Sequence, residues 1–321
     1  MCAQIAKDGN QYDDLINVES IYDAYYNQSL RDLFNYSNRL LLKVIAVISF
    51  YKVVDLEEDL LLEQIDKIFG INKFDFNSTC HELDHLEFIT ITDYNIVTIS
   101  DQNFGNYMFY QCFYVFKELC LSNLIEKLYY RKERLRDCIF SVWNCFHKEE
   151  VINYSRISIS NAWKNLLLLF ENEHEKCEFL KAFGTMVPSI TFAYIKHFID
   201  EKRLNPNNSS PFESDDIISI LSHFSHSDES DIVIALTLMV EYISVKPKEI
   251  ENVAKIISEY WIYDDIDYVN LYKRETTIID AIINLSGNSE IGFHFSSLIL
   301  PSYLKFTYSL TRAKGRQFMY T

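Results

Sequence analysis

The sequence predicts a mainly α-helical protein with one small β element. Three observations carry that prediction. Only 7 Gly and 5 Pro punctuate 321 residues, too few for the many turns of a β-rich fold. Most of the chain divides into apolar-periodic segments at helical spacing, separated by short polar breaks. In one place, from Phe88 to Ser100, the period falls to two.

The order of elements is clearest between residues 38 and 115. Leu40 to Val54 is apolar on nearly every side and predicts a central helix covered all round. Lys43 and Lys52 interrupt it too closely for a membrane span. A second helix is expected between Asp55, spaced from Glu58 as in a capping box, and Gly70, which suits a left-handed stop followed by apolar Ile71. Leu60, Leu61, Ile65, Ile68 and Phe69 give it an apolar face. Thr79 and Glu82 form a second capping-box pattern, which predicts a short third helix running to about Leu86. The alternating runs Phe88–Thr92 and Ile96–Ser100 then read as two strands joined at Asp93-Tyr94-Asn95. Three helices followed by a β-hairpin is the order of a winged helix.

The charges of this stretch oppose a DNA reader. From Val53 to Glu87 there are ten acids against two lysines, Lys67 and Lys73. The third helix carries Glu82, Asp84 and Glu87 where a groove-binding helix needs Lys and Arg. The same helix holds His81-Glu82-Leu83-Asp84-His85, which matches H-E-x-x-H, two imidazoles one turn apart with a Glu placed as a base. A third ligand is missing at near spacing, and charged Asp84 stands inside the motif. A zinc hydrolase built on His81, Glu82 and His85 is therefore one reading, and a polar solvated helix the other.

Past the hairpin, Ile99-Ser100-Asp101-Gln102 runs into Phe104, Tyr107, Phe109 and Tyr110. With Leu83 and the step Glu87-Phe88-Ile89, this segment resembles the close of the winged-helix domain in STAND-type signal-transducing P-loop ATPases. These are large bacterial regulators, many of them linked to defence against phage. The resemblance covers about the first 115 residues. It implies that residues 1–37, with short helices expected over Tyr12–Val18 and Ser20–Asn35, correspond to a helical lid. It also implies that the winged helix relays the nucleotide state of an ATPase core and does not read DNA. The Walker A loop and Walker B acid of that family are missing from this chain, so ATP hydrolysis does not carry over.

Residues 116–321 are expected to form an irregular α-helical array without a fixed repeat period. Its helices are placed near Phe116–Tyr130, Leu135–Phe146, Ile159–Phe170, Glu175–Gly184 and Ser189–Glu201. The remainder fall near Ser214–Ser225, Asp231–Ile243, Pro247–Trp261, Tyr268–Leu285, Glu290–Leu298 and Tyr303–Thr311. The break Arg203–Pro211, with two prolines among Asn and Ser, is a candidate split in the array. Acidic runs such as Glu171–Glu178 read as the wet faces of helices. Asp264, Asp265 and Asp267 read as a helix start, since the Gly and terminal Glu of a calcium loop are missing.

Two basic clusters stand against the acidic background. Arg131, Lys132, Arg134 and Arg136 lie at a helix junction, where cations suit a helix C-terminus or could meet a phosphate. Arg312, Lys314 and Arg316 precede an abrupt aromatic ending, expected to be the first half of a strand in a longer protein.

A net charge of −16 disfavours nonspecific binding of polyanions. Seven scattered cysteines, with no C-x-x-C pair, fit a reducing compartment, and the N-terminus lacks an apolar signal segment. The chain is therefore expected to be cytoplasmic. No phosphate-binding loop or complete catalytic constellation is present, so no cofactor is expected and no catalysis by the chain itself. The leading reading is a regulatory and protein-interaction module, with a partner or trigger on the helical array and the ATPase core of a parent protein as its second contact. The alternatives are a stand-alone winged-helix DNA-binding regulator and the zinc hydrolase.

Overall fold

The computed structural model describes residues 39–204, 213–261 and 270–308. The expected helices of residues 1–37, most of the 203–211 break, Asp264–Asp267 and the C-terminal basic cluster lie outside the described residues. The protein is mainly helical with one small antiparallel sheet. It divides into two compact units, Met1–Leu169 and Phe170–Thr321.

The first unit is built around helix α1, Arg39–Tyr51. Every residue from Val44 to Phe50 is buried, and Val44, Ile45, Ile48 and Phe50 are fully covered. The helix stops short of the expected Val54. Lys52 takes a left-handed φ of 67° while its amide closes the last turn on the Ile48 carbonyl at 2.8 Å. Val53–Asp55 becomes strand β1. Periodicity cannot find a strand of three residues. The contest between helix and strand is settled by pairing with a distant segment, with Val54 facing the core and Val53 facing solvent.

Helix α2, Asp59–Phe69, begins after the expected capping box. The Asp55 carboxylate instead accepts the Glu57 amide at 2.8 Å and shapes the preceding turn. Leu61, Leu62, Ile65 and Phe69 form the buried face, while Leu60 points outward. Gly70 ends the helix at φ 66°, ψ 32°, a left-handed conformation that strains any side chain, and Ile71 folds back into the core.

Helix α3, Lys73–His85, is a full helix that starts earlier than Thr79. The Asn72 side chain accepts the Asp75 amide at 2.9 Å and caps it. Thr79 is buried in mid-helix, between Phe76 and Leu83 on the core face. The helix ends in paired bonds from Glu87 N to Asp84 O and from Phe88 N to Leu83 O, with Glu87 at φ 63°. That is a Schellman motif with Glu where Gly is usual.

Strands β2, Ile89–Ile91, and β3, Ile96–Ile99, pair antiparallel in the register Ile89↔Ile99, Thr90↔Thr98, Ile91↔Val97. The connection is as expected, with Asn95 left-handed at φ 56° and its amide bonded to Thr92 O. Strand β1 pairs with the other edge of β3, so the sheet order is β1-β3-β2.

Helix α4, Gln102–Tyr110, is capped by Asp101 and packs on α1. It widens into a π-helical turn over Gln111–Val115, closed by Phe116 N bonding Gln111 O. The expected helix Phe116–Tyr130 is consequently shorter: Lys117 is left-handed, and α5 spans Leu121–Leu128. Helices α6, Lys132–Phe146, and α7, Glu149–Leu166, complete the described part of the unit. The latter begins well before the expected Ile159.

In the second unit, α8 is Glu173–Phe183, α9 Pro188–Leu204, α10 Glu213–Ser222 and α11 Glu229–Val245. They are followed by α12, Ile250–Ile256, α13, Asn270–Asn288, and α14, Glu290–Tyr308. The two helices expected over 290–311 are one, running through Pro301. Helices pack largely on the next but one: α8 on α10, α9 on α11, α11 on α13, α12 on α14. The pair α13 and α14 is drawn close at Gly292, where a methyl group would overlap the Leu285 carbonyl oxygen. Ser296 Oγ also donates across this pair to Ile282 O at 2.9 Å. No helix among the described residues is long and apolar enough to cross a membrane.

Candidate functional site

Within the basic cluster of the first unit, Arg134 turns inward. Because α1 ends abruptly at Tyr51, its last carbonyls lose their helical partners and concentrate the negative end of the helix dipole. Arg134, half-buried in the first turn of α6, supplies the missing donors: its Nε bonds the Phe50 carbonyl and its Nη2 the Ser49 carbonyl. The Arg131 guanidinium lies 5.0 Å from the centre of the Tyr51 ring. Tyr51 Oη donates to Gln64 Oε1 at 3.2 Å, and Gln64 Nε2 donates in turn to the Tyr130 hydroxyl. Burial pushes the Tyr51 hydroxyl up to about 12, with Arg131 opposing and Tyr130 adding to the shift. Arg136 pairs with Glu133 at 2.9 Å on the surface, and Lys132 is half-buried at the start of α6. The helix end that Arg134 meets is that of α1, far away in sequence. Arg134 and Arg131 act as a clasp joining α1, α2 and the α5–α6 junction.

The H-E-x-x-H residues lie on α3 as expected, with His81, Glu82 and His85 all exposed. Asp84 of that motif is used structurally. Its Oδ1 accepts the Ile91 amide at 2.9 Å and ties α3 to β2. Among the described residues, no third donor is grouped with His81 and His85.

One grouping of potential metal-donor residues occurs among the described residues, in the second unit, where sequence reasoning had read a wet helix face. His174 and Glu178 stand one turn apart on α8, and Asp216 faces them from α10, with donor atoms all within 4.8 Å of one another. His174 Nδ1 lies 3.1 Å from Asp216 Oδ2. Lys181, one further turn along, places Nζ 2.5 Å from Asp216 Oδ1 and 2.8 Å from Glu178 Oε1. Desolvation works to lower the pKa of Lys181, but its bonds to Asp216 and Glu178 outweigh that and raise it. The Lys181 ammonium, held between the two carboxylates, offsets part of their charge, and the group serves as an ionic clasp between α8 and α10. The spacing 174, 178, 181 on one helix face was the available signal. Asp216 could not be paired with it from sequence.

Beside this clasp, Glu173 accepts from Lys176 at 2.5 Å and also from the Tyr194 hydroxyl. Desolvation opposes ionisation of Glu173, but these hydrogen bonds prevail and lower its pKa. Comparison with protein-family models, with curated proteins and with solved structures found no match.

Proposed function

We propose that the chain is a non-catalytic regulatory and protein-interaction module built on a winged helix, of the kind found in STAND-type signalling ATPases. The observation that carries this reading is the combination of topology and charge in the first unit. The order helix, strand, helix, helix, hairpin, with β3 between β1 and β2, supports the winged-helix reading. Its third helix exposes Glu82, His81 and His85 where a DNA reader exposes Lys and Arg. The nearest basic cluster engages Arg131 with the Tyr51 ring and Arg134 with the end of α1. A winged helix that repels phosphate is suited to contacts with protein.

In this reading the helices of the second unit form an irregular, solenoid-like array that receives a protein partner or trigger. The winged helix passes that event to the ATPase core of a parent protein, in the setting of signal transduction and phage defence in a bacterial cytoplasm. Coupling of this kind requires a partner that binds one of two packings more tightly than the other.

The test is to sequence the native locus. An in-frame upstream stretch carrying G-x-x-x-x-G-K-[ST] supports the reading. A stop codon directly before Met1, with no such neighbour, would refute it. A duplex-DNA titration across salt separates the alternative: salt-dependent binding near physiological ionic strength would favour a DNA regulator.

A further inference from the structure

Three large apolar side chains of the first unit stand almost fully in solvent: Leu60 at 78% exposure, Phe74 at 80% and Tyr94 at 83%. They come from three different elements, the start of α2, the start of α3 and the hairpin turn. A set of cross-bonds gathers them around the turn Glu57-Glu58-Asp59. Asn95, next to Tyr94, donates from Nδ2 to Glu57 Oε1 at 2.9 Å, and its carbonyl accepts the Leu56 amide at 3.0 Å. Lys73, next to Phe74, reaches Asp59 Oδ1 at 2.5 Å. Leu60 directly follows Asp59. The apolar residues therefore border an exposed acidic turn, to which the neighbours of Phe74 and Tyr94 are bonded.

We propose that this face docks a basic, amphipathic segment of another protein. The exposed apolar groups call for an apolar counterpart, since covering them removes apolar surface from water. The surrounding charge selects a cationic partner. Glu57, Glu58 and Asp59 are all exposed, and Glu58 makes no capping bond although it stands at the N-cap of α2. The two lysines of the Val53–Glu87 stretch already face carboxylates, Lys73 at Asp59 and Lys67 at Glu63. Complementary charge draws a Lys/Arg-rich segment in and turns polyanions away. It also rejects a second copy of this chain, which carries a net charge of −16, and an anionic lipid surface. This docking face is built from residues of the first unit alone and does not depend on the ATPase reading.

The experiment titrates the full chain into a labelled peptide with Lys and Arg on one helical face and Leu and Phe on the other, at physiological ionic strength. Binding is expected. The triple variant E57K/E58K/D59K should weaken it about tenfold, and L60S/F74S, which leaves the net charge unchanged, should weaken it several-fold. The control E149K/E150K, which alters acids on α7 by a smaller number, should retain most of the affinity. All the positions changed are exposed, and circular dichroism melts verify that each variant folds. No binding by the unaltered chain would overturn the proposal. An unaffected L60S/F74S would also do so, since the attraction would then be net charge alone. A control that weakens binding as much as the triple variant, or duplex DNA that displaces the peptide, would count against it equally.

Discussion

Replacing Arg134 with alanine tests whether the basic cluster is a clasp or a binding surface. The Arg134 guanidinium makes two charge-assisted bonds to the carbonyls of Ser49 and Phe50, both buried. A hydrogen bond to a charged group contributes about 1.5–3 kcal/mol. Two bonds sharing one guanidinium are not additive, and water can reach part of the site left by the side chain. Loss of roughly 2–4 kcal/mol is therefore expected for Arg134→Ala. Arg134→Lys, which keeps the charge but not the forked donors, should lose about half as much. Arg136→Ala is the internal control. Its bridge to Glu133 lies on the surface, with the two side chains 38% and 67% exposed, and exposed pairs contribute about 0–1 kcal/mol. Urea denaturation followed by far-ultraviolet circular dichroism measures all three. With a slope of about 1–3 kcal/mol/M, the Arg134→Ala midpoint should fall by about 1–2 M, while that of Arg136→Ala stays within a few tenths. Equal midpoints for Arg134→Ala and Arg136→Ala would refute the clasp.

Other consequences are open to direct measurement. Among the described cysteines, Cys120 should be alkylated first at neutral pH, as read by peptide mapping. Desolvation works against its ionisation, but bonds from the Ser122 hydroxyl and the Asn123 and Ser122 amides lower its pKa on balance. Burial pushes the Cys80 and Cys177 thiols up to about 12 and that of Cys138 to about 11, so these should react only on unfolding. Asp216→Asn should destabilise the second unit by about 1–3 kcal/mol, because Lys181 and His174 lose a buried anionic partner. A loss below half a kcal/mol in chemical denaturation would discredit that ionic clasp. Since the pKa of Lys181 is raised on folding, its contribution is full below its ordinary value near 10.5 and disappears as pH rises through the folded value. The gap between the unaltered chain and Lys181→Met should accordingly narrow in alkaline melts and stay constant at neutral pH. Gly292→Ala should cost about 1–3 kcal/mol by overpacking α14 against the Leu285 carbonyl, and a thermal melt equal to that of the unaltered chain would contradict the close approach.

Local patterns were legible where a single segment carries its own physics. The all-apolar run from Leu40 needed burial on every side and lies at the centre of its unit. Gly70 takes the left-handed stop, and Asp93-Tyr94-Asn95 makes the hairpin connection, because those conformations are set by neighbouring residues. The errors fell where two local signals competed. The Thr79–Glu82 pattern suggested a start for α3, but Asn72 caps the helix earlier, and burial of Phe76 and Thr79 on the core face accompanies that start. Val53 and Val54 continue the apolar pattern of α1, yet the chain turns at Lys52 because β3 offers Val53–Asp55 a ladder of backbone bonds.

By itself, then, the sequence determined the helical class, the short β element, the acidity that argues against a polyanion partner, and the identity of the side chains available for chemistry. Each of these depends on composition or on residues a few positions apart. Tertiary structure alone decided the use of those side chains. It set Arg134 against the end of α1, 84 and 85 residues away along the chain, and brought Asp216 to His174 across 42. Both pairings follow from helix packing, which brings distant faces together to bury apolar surface and thereby selects the charges that meet. A one-dimensional pattern contains the charges, but their partners exist only once the core has closed.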